Sequence, residues 1–493
     1  MRGDVTHAVL PERGVLMETL RPDICVIGAG SGGLSVAAGA AALGVPVVLI
    51  EKDRMGGDCL NTGCVPSKSL IAAAHRAHAL RNAAPFGIDA GPLNVEFGRV
   101  HDHVQSVIAA IAPTDSAARF RGLGVNVIAG VGRFTDPDTV AVGDRTLVKA
   151  RRFVIATGAR PVIPPVPGLD SVPYLTNETI FNLRDGPRHL IIIGGGPIGL
   201  ELAQAFRRLG AEVTVIEAAT PLAAEDPECA TVVIDRLTAE GVDMRIGAKV
   251  TGVAGGAADS DAVTVTLETP GGTDTIAGSH LLIATGRRPA FGELALDKAG
   301  IFTAPDGIVV NRSLRTANRR VYAIGDCVAG PQFTHAANYQ AGLVLRAIVF
   351  RLPVKVRHEV IPRVTYTDPE LAQAGMTEAQ AREQYRAIRI LRWPFYENDR
   401  AQTERDTTGH IKVVTTAYGR ILGATIVGIG AGDQIALWAL AFSKGLNVRA
   451  MTNVVFPYPT RTEAAKRAAV DFFVPGLTKP WLRRIIGVLR GFG

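Results

Sequence analysis

The chain has 493 residues, 47% of them apolar, and a formal net charge of +7. That length exceeds one compact core and predicts about three domains, while no apolar run approaches the ~18 residues that span a bilayer. The modest basic excess comes without a helix-turn-helix, zinc or RNA-binding signature, which argues against a nucleic-acid partner and for a solvated basic surface.

Cysteine is sparse. Cys25, Cys59, Cys64, Cys229 and Cys327 are the whole set, too few for a secreted disulfide scaffold. They predict a reducing, cytoplasmic setting in which a cysteine pair serves chemistry rather than structure. No metal site is expected.

Residues 1–21 read as an N-terminal leader. Pro11, Glu12 and Arg13 interrupt any signal-peptide core, and Met17 is an alternative start. A strand is expected over residues 24–27, then the turn Gly28-Ala29-Gly30-Ser31-Gly32-Gly33, an alanine-rich helix to Leu43, and a strand over 45–50 ending at Glu51. This is a β-turn-α-β unit with G-x-G-x-x-G at Gly28, Gly30 and Gly33. Its glycines allow a tight turn and a close backbone approach to a pyrophosphate at the helix N-terminus, with Glu51 placed for a ribose hydroxyl.

Next comes Gly56-Gly57-Asp58-Cys59-Leu60-Asn61-Thr62-Gly63-Cys64-Val65-Pro66-Ser67-Lys68. Two cysteines with four residues between them, directly after a phosphate-binding turn, suggest a redox disulfide stacked on a bound cofactor.

The dinucleotide unit then recurs. A strand over 189–193 leads into Gly194-Gly195-Gly196-Pro197-Ile198-Gly199, a helix to about Leu209, and a strand over 212–216 ending in Glu217. Two such sites in one chain suggest two cofactors in relay, such as a flavin and a nicotinamide. A carboxylate at Glu217 favours NADH and repels the 2′-phosphate of NADPH, and residues 218–222 contain no arginine.

Two Ala-Thr-Gly turns, at 156–158 and 284–286, follow short apolar strands and return the chain between domains. Another strand ends at Gly325-Asp326. From about Arg357 the character changes to an α+β pattern without a nucleotide motif. Strands are expected over 387–392, 411–415 and 422–427, and helices over 434–444 and 463–473.

The cysteine stretch, both glycine fingerprints, both Ala-Thr-Gly turns and Gly325-Asp326 together resemble the class I pyridine nucleotide-disulfide oxidoreductases. This is the family of dihydrolipoamide dehydrogenase, glutathione reductase and mercuric reductase. The resemblance runs over residues 22–475, and Pro362, Thr367-Asp368-Pro369-Glu370 and residues 423–428 resemble its dimerisation domain. It implies an α/β fold with two Rossmann-like dinucleotide-binding domains plus an α+β C-terminal dimerisation domain. The expected limits are FAD-binding at 22–160 and 289–355, NAD-binding at 161–288, and dimerisation at 356–475.

The resemblance also assigns roles. FAD would lie along Gly28, Gly30, Gly33 and Glu51, completed by Lys52, Gly57, Gly130, Gly158, Asp326 and Thr334. NADH would bind at Gly194, Gly196, Gly199, Glu217, Val250 and Gly286. Cys64 would face the flavin ring as the charge-transfer thiol, Cys59 would meet the substrate, and Lys68 would sit near the flavin N5 edge paired with Glu201. The expected enzyme is a homodimer passing electrons from NADH through FAD and Cys59–Cys64 to a small-molecule or protein disulfide, or a thiol-linked acceptor.

The chain also departs from that pattern. The family's C-terminal His-Pro-x-x-x-Glu is here Tyr458-Pro459-Thr460-Arg461-Thr462-Glu463, and no histidine follows His410. A phenol with pKa ~10 is a poor proton shuttle beside an imidazole; Tyr458 is alternatively a packing aromatic. The tyrosine resembles mercuric reductase, so a soft metal ion is the alternative acceptor, but that enzyme's C-terminal cysteine pair is missing because no cysteine follows Cys327. Asp58 replaces the threonine or valine common in these enzymes.

Residues 476–493 form a basic tail with Leu482, Ile485, Ile486 and Leu489 at helical spacing between arginines. It is expected to dock on the dimer or to touch the inner membrane face peripherally. The second alternative gives a third reading, a membrane-associated redox-sensing flavoprotein with little turnover.

Overall fold

The computed structural model describes residues 17–255 and 262–492. Most of the expected leader, including its Pro11-Glu12-Arg13 interruption, lies outside the described residues. Its last part corrects the expectation: Glu18–Leu20 is a strand paired in parallel with Thr146–Val148. Leu20 is the reason, since it packs against a buried core and so anchors the segment.

The architecture is α/β, with two Rossmann-like parallel sheets and a C-terminal α+β domain, as the sequence implied. The chain divides into two compact units. One gathers residues up to 57 with 112–159 and 289–356; the other gathers 58–111, 160–288 and 357–493.

In the first unit, five parallel strands form one sheet with Ile24–Ile27 at its centre, between Arg152–Ile155 and Val47–Glu51. Alternation along this central strand divides the core in two. Ile24 and Val26 pack with Ala37, Ala40 and Val344 of the helices Ser31–Ala42 and Thr334–Val349. Cys25 and Ile27 face the other way, against Phe134, Val140 and Val148 of a small four-stranded sheet. A strand buried on both faces has to be apolar at every position, which is why it reads as a run without alternation.

The second unit repeats the plan. His189–Ile193 is central in a four-stranded parallel sheet, between Glu212–Glu217 and His280–Ile283. Leu190 and Ile192 pack towards Leu202, Ala203 and Phe206 of the helix Pro197–Arg208, while Ile191 and Ile193 pack towards the three-stranded antiparallel sheet of Lys249–Gly255, Val263–Thr269 and Gly272–Gly278. The same unit holds the helix Cys64–Arg81, packed along Pro197–Arg208, and the C-terminal domain. That domain is a five-stranded antiparallel sheet whose central strand is Ile421–Gly428, between Glu370–Gly375 and His410–Thr416. The helices Ala431–Ser443 and Glu463–Asp471 supply its core partners Trp438, Ala465 and Ala469.

One buried ion cluster ties a nucleotide-domain helix to the C-terminal sheet. Lys412, 4% exposed, reaches Asp226 at 2.8 Å, Glu228 at 2.9 Å and Glu378 at 2.9 Å. Asp226 also caps the helix Pro227–Ala239. A buried cation needs this much compensation, and the carboxylates in turn depend on it. Hydrogen bonding from Arg392, then from Lys412, holds Glu228 down at about 2; Glu378 is lowered against burial by Lys412 and Arg382.

Replacing Lys412 by Met should therefore lower the melting temperature at pH 7, because removing one partner of a buried pair costs about 3–5 kcal/mol. Carboxylates with depressed folded pKa values stabilise above their ordinary range and lose that contribution as pH falls through the folded value. The difference between wild type and Lys412→Met should thus shrink as pH is taken from the ordinary carboxylate range towards about 2, the value for Glu228. Thermal unfolding across that window checks it; a difference constant in pH would show that the cluster is not held by charge.

Candidate active site

Each glycine turn is built by contacts that only glycine permits. In the first unit Gly28 has φ +105°, and a Cβ there would lie 2.4 Å from the Ala156 carbonyl oxygen. A Cβ on Gly33 would lie 1.8 Å from the Gly28 carbonyl oxygen. These two glycines make the turn. Gly30 is different: φ is −77°, and its nearest neighbour is the Gly57 Cα at 4.0 Å, so it leaves the backbone open to a ligand. The helix Ser31–Ala42 that follows has no side-chain cap and no acidic residue in its first turn. Its positive end is uncompensated and suited to a pyrophosphate.

Glu51 closes this turn. Its carboxylate accepts the Ala29 N–H at 2.6 Å and the Asp53 N–H at 2.8 Å, which aims it while leaving lone pairs for hydroxyl donors. The Gly130 N–H meets the Glu51 carbonyl at 2.8 Å. Lys52 is ion-paired with Glu293. Gly57, at φ +59°, packs on Gly30, and Gly158 is open at φ +69°. Asp326 lies in the one-turn helix Gly325–Cys327, and Thr334 opens the helix Thr334–Val349. A flavin dinucleotide fits this donor set: a shaped amide cradle, an uncapped helix end and an oriented carboxylate.

The second unit repeats the construction. Gly194, at φ +116°, approaches the Ala284 oxygen, and a Cβ on Gly199 would lie 2.1 Å from the Gly194 oxygen. Gly196 has nothing within 4 Å of a Cβ, and the helix Pro197–Arg208 is likewise uncapped. Glu217 accepts from the Gly195 N–H at 2.7 Å and the Ala219 N–H at 2.8 Å. Val250 sits at a bulge in the strand Lys249–Gly255, and Gly286 has φ +123°. A nicotinamide dinucleotide fits on the same grounds.

The cysteines stand on either side of a helix junction. Cys59 is half-buried in the short helix Gly57–Asn61; Cys64 is exposed and is the first residue of Cys64–Arg81. Asp58 braces the junction. It accepts from Thr62 Oγ1 at 2.6 Å and Asn177 Nδ2 at 3.1 Å, and pairs with Arg287 at 3.0 Å. Gly63 allows the tight return, since a Cβ there would meet the Asp58 carbonyl oxygen at 2.9 Å.

One turn into the longer helix, Lys68 Nζ donates to Glu201 Oε2 at 2.8 Å. Glu201 is 5% exposed, and its other oxygen accepts the Tyr366 N–H at 2.9 Å. The Lys68 ammonium stands over the Tyr366 ring, 4.4 Å from its centroid. Burial first, then the carboxylates Glu370 and Glu201 and the Cys64 sulfur, push the Tyr366 phenol above its ordinary value. Far along the chain, Tyr458 is 70% exposed and donates to Asp399 Oδ2 at 2.8 Å. That hydrogen bond raises the Tyr458 pKa. Glu463 begins the helix Glu463–Asp471 and pairs with Arg467 at 3.0 Å.

The family model for pyridine nucleotide-disulphide oxidoreductases matches residues 22–341, and its dimerisation domain matches residues 361–469. The chain belongs to this family. It is 37% identical to a mercuric reductase of Bacillus cereus over 91% of its own length and 71% of that protein's. It is 35% identical to a dihydrolipoyl dehydrogenase of Geobacillus stearothermophilus, over 91% and 96%. Among solved structures it is similar to the Cu(II) complex of the HOCl-induced flavoprotein disulfide reductase RclA from Escherichia coli, with a TM-score of 0.80 and 28% identity over 92% of this chain and 100% of that one. It is also similar to LpdA from Mycobacterium tuberculosis, with a TM-score of 0.83 and 27% identity over 92% and 99%. As a family member it is an FAD-dependent oxidoreductase with a nicotinamide dinucleotide as partner, and it carries the family's dimerisation domain.

Tyr366, Asn177, Arg287 and Asp399 were not singled out from sequence. Arg287 alone had a local signal, following directly on Gly286; the others reach their partners from distant segments.

The two kinds of glycine should separate by mutation. Gly199→Ala pushes a methyl into a carbonyl oxygen and should lower the melting temperature, by a cost of about 1–3 kcal/mol for an overpacked site. Gly196→Ala should leave melting unchanged and raise the KM for NADH by roughly tenfold, since it obstructs only the approach of the ligand. Thermal shift and steady-state kinetics on the two variants check this; equal destabilisation by both would contradict it.

Proposed function

We propose that this enzyme transfers electrons from NADH, through FAD and a Cys59–Cys64 redox disulfide, to a disulfide or thiol-linked acceptor, as a homodimer. The observation that carries the reading is the braced helix junction that sets Cys59 before, and Cys64 at, the start of the helix that also presents Lys68. Residues 22–160 and 289–355 would hold FAD, residues 161–288 NADH, and residues 356–475 the dimer contact.

The bound flavin would supply the two-electron exchange between nicotinamide and dithiol. The residues named above would do the rest. Gly28, Gly30, Gly33 and Glu51, with Lys52, Gly57, Gly130, Gly158, Asp326 and Thr334, would position FAD; Gly194, Gly196, Gly199, Val250 and Gly286 would position the nicotinamide nucleotide. Glu217, already oriented by two amides, would accept from ribose hydroxyls and disfavour a 2′-phosphate. Lys68, held by Glu201, would keep a fixed positive charge beside Cys64.

The exchange balances on sulfur. Two electrons open Cys59–Cys64 to a dithiol. Cys59 as thiolate attacks the acceptor disulfide, forms a mixed disulfide and releases one thiol. Cys64 then attacks the Cys59 sulfur, restoring the pair and releasing the second thiol. Low-pKa thiolates do this work, and a helix N-terminus favours them.

A second reading, reduction of a soft metal ion held by the same thiolates, is favoured by Tyr458. A phenol held protonated by Asp399 is a hydrogen-bond donor, not a proton shuttle, and reducing a metal ion requires no proton delivery.

Two measurements test these assignments. Cys64→Ser should remove the long-wavelength thiolate-to-flavin absorbance that NADH gives with the holoenzyme, and survival of that band would refute the role of Cys64. NADH oxidation should be followed with lipoamide, glutathione disulfide, Hg(II) and Cu(II), in wild type and Tyr458→His. If proton transfer limits disulfide turnover, the histidine should raise it by about 100-fold or more, the lower end of what general acid–base catalysis contributes. Unchanged disulfide rates, with metal ions the better acceptors in both proteins, would move the assignment to the second reading.

A further inference from the structure

The C-terminal helix Pro480–Leu489 buries none of its residues. Trp481 is 57% exposed, Ile485 47%, Val488 64% and Leu489 64%. At about 100° per residue, its six apolar side chains (Trp481, Leu482, Ile485, Ile486, Val488 and Leu489) fall on one arc of about 160°. Arg483 and Arg484 flank that arc on opposite sides, with Gly487 between them on the polar face.

Charge identifies what would cover it. Between residues 472 and 492 the chain has Lys479, Arg483, Arg484 and Arg490 and no acidic residue. None of these four side chains has a carboxylate partner among the described residues, although most arginines elsewhere in the second unit are paired. The family's dimerisation domain ends at residue 469, before this helix begins. A second copy of the chain would bring a net charge of +7 against the same cations, which disfavours it as the occupant.

We propose that the helix Pro480–Leu489 docks this enzyme on an anionic lipid surface, its apolar arc in the interface and its arginines on headgroup phosphates. Long basic side chains flanking an apolar stripe suit that depth, because their stems stay apolar while their charges reach the headgroups. Each basic residue near an anionic leaflet multiplies the partition coefficient by about fivefold, so Arg483 and Arg484 together account for about 25-fold.

Flotation of the FAD-loaded protein on phosphatidylcholine vesicles, with and without phosphatidylglycerol, tests the proposal. The full chain should float only with the anionic vesicles, and added salt should reduce its recovery. Arg483→Glu combined with Arg484→Glu should lower the partition by at least the factor given above, with flavin content and NADH oxidation unchanged. Trp481 emission should move to shorter wavelength on the anionic vesicles and not in Trp481→Phe. Deleting residues 479–493 should abolish flotation. Equal recovery of the full and shortened chains, or equal binding to neutral vesicles, would overturn the proposal. Loss of the dimer in the shortened chain without any vesicle binding would also overturn it, and would place a second copy on this face.

Discussion

The contact on which the active-site side of this structure depends is the one between Lys68 and Glu201. Glu201 is nearly inaccessible to water, so its charge has to be met within the protein. It is met from two directions: by the Lys68 ammonium on the cysteine-bearing helix and by the Tyr366 backbone in the C-terminal domain. Glu201 itself belongs to the helix that starts at the second glycine turn. One carboxylate thus joins three separate segments of the chain. The Tyr366 ring faces the ammonium as well, so Lys68 has a carboxylate and a π-face to hold it. Losing the Lys68 ammonium would leave the buried Glu201 charge uncompensated, which ties the helix Cys64–Arg81 to the helix Pro197–Arg208.

A similar economy governs the two oriented glutamates. Glu51 and Glu217 each end a strand of a parallel sheet, and each accepts from one backbone amide two residues on and one in the glycine turn. Those amides fix the carboxylate before any ligand arrives, so little side-chain entropy remains to be lost on binding. The arrangement is identical in both halves because the same turn geometry generates it. The chain therefore repeats not a sequence but a set of backbone constraints, in which only glycine fits at the crossing points.

That explains what sequence made legible. The sheet strands are short apolar runs because both faces are buried, and the alternation appears only once the cores on each side are seen: Ile24 and Val26 one way, Cys25 and Ile27 the other. The glycine turns and their acids were legible because all their parts lie within about thirty residues, as a βαβ unit requires. The brace on Asp58 was not. Its departure from the family pattern was visible, but Asn177 and Arg287 come from segments 119 and 229 residues away (287 − 58 = 229); no local pattern marks Asn177, and the place of Arg287 after Gly286 does not point to Asp58. Tyr366 was hidden for the same reason. Leu20 was missed because three residues of strand carry too little periodicity to stand out from a polar leader.

The proton balance gives Tyr458 its meaning. Reducing a disulfide with NADH consumes one proton beyond the hydride, whereas reducing a divalent metal ion to the element releases one. A site for the first reaction needs a group that gives and regains protons near neutrality, which imidazole does. Asp399 has the opposite effect on Tyr458: by accepting its hydroxyl hydrogen it stabilises the neutral phenol and raises the pKa further from neutrality. The phenol keeps its proton and can only lend a hydrogen bond. The electron path into Cys59 and Cys64 does not depend on this choice, since sulfur exchange requires only a thiolate. In the proposed function, Tyr458 and Asp399 would bear on whether the products leave as thiols that must be protonated or as a species that needs no proton. On the proposed reading, the choice between a disulfide and a soft metal ion as acceptor becomes a question of proton supply, which a phenol hydrogen-bonded to Asp399 meets less well than an imidazole.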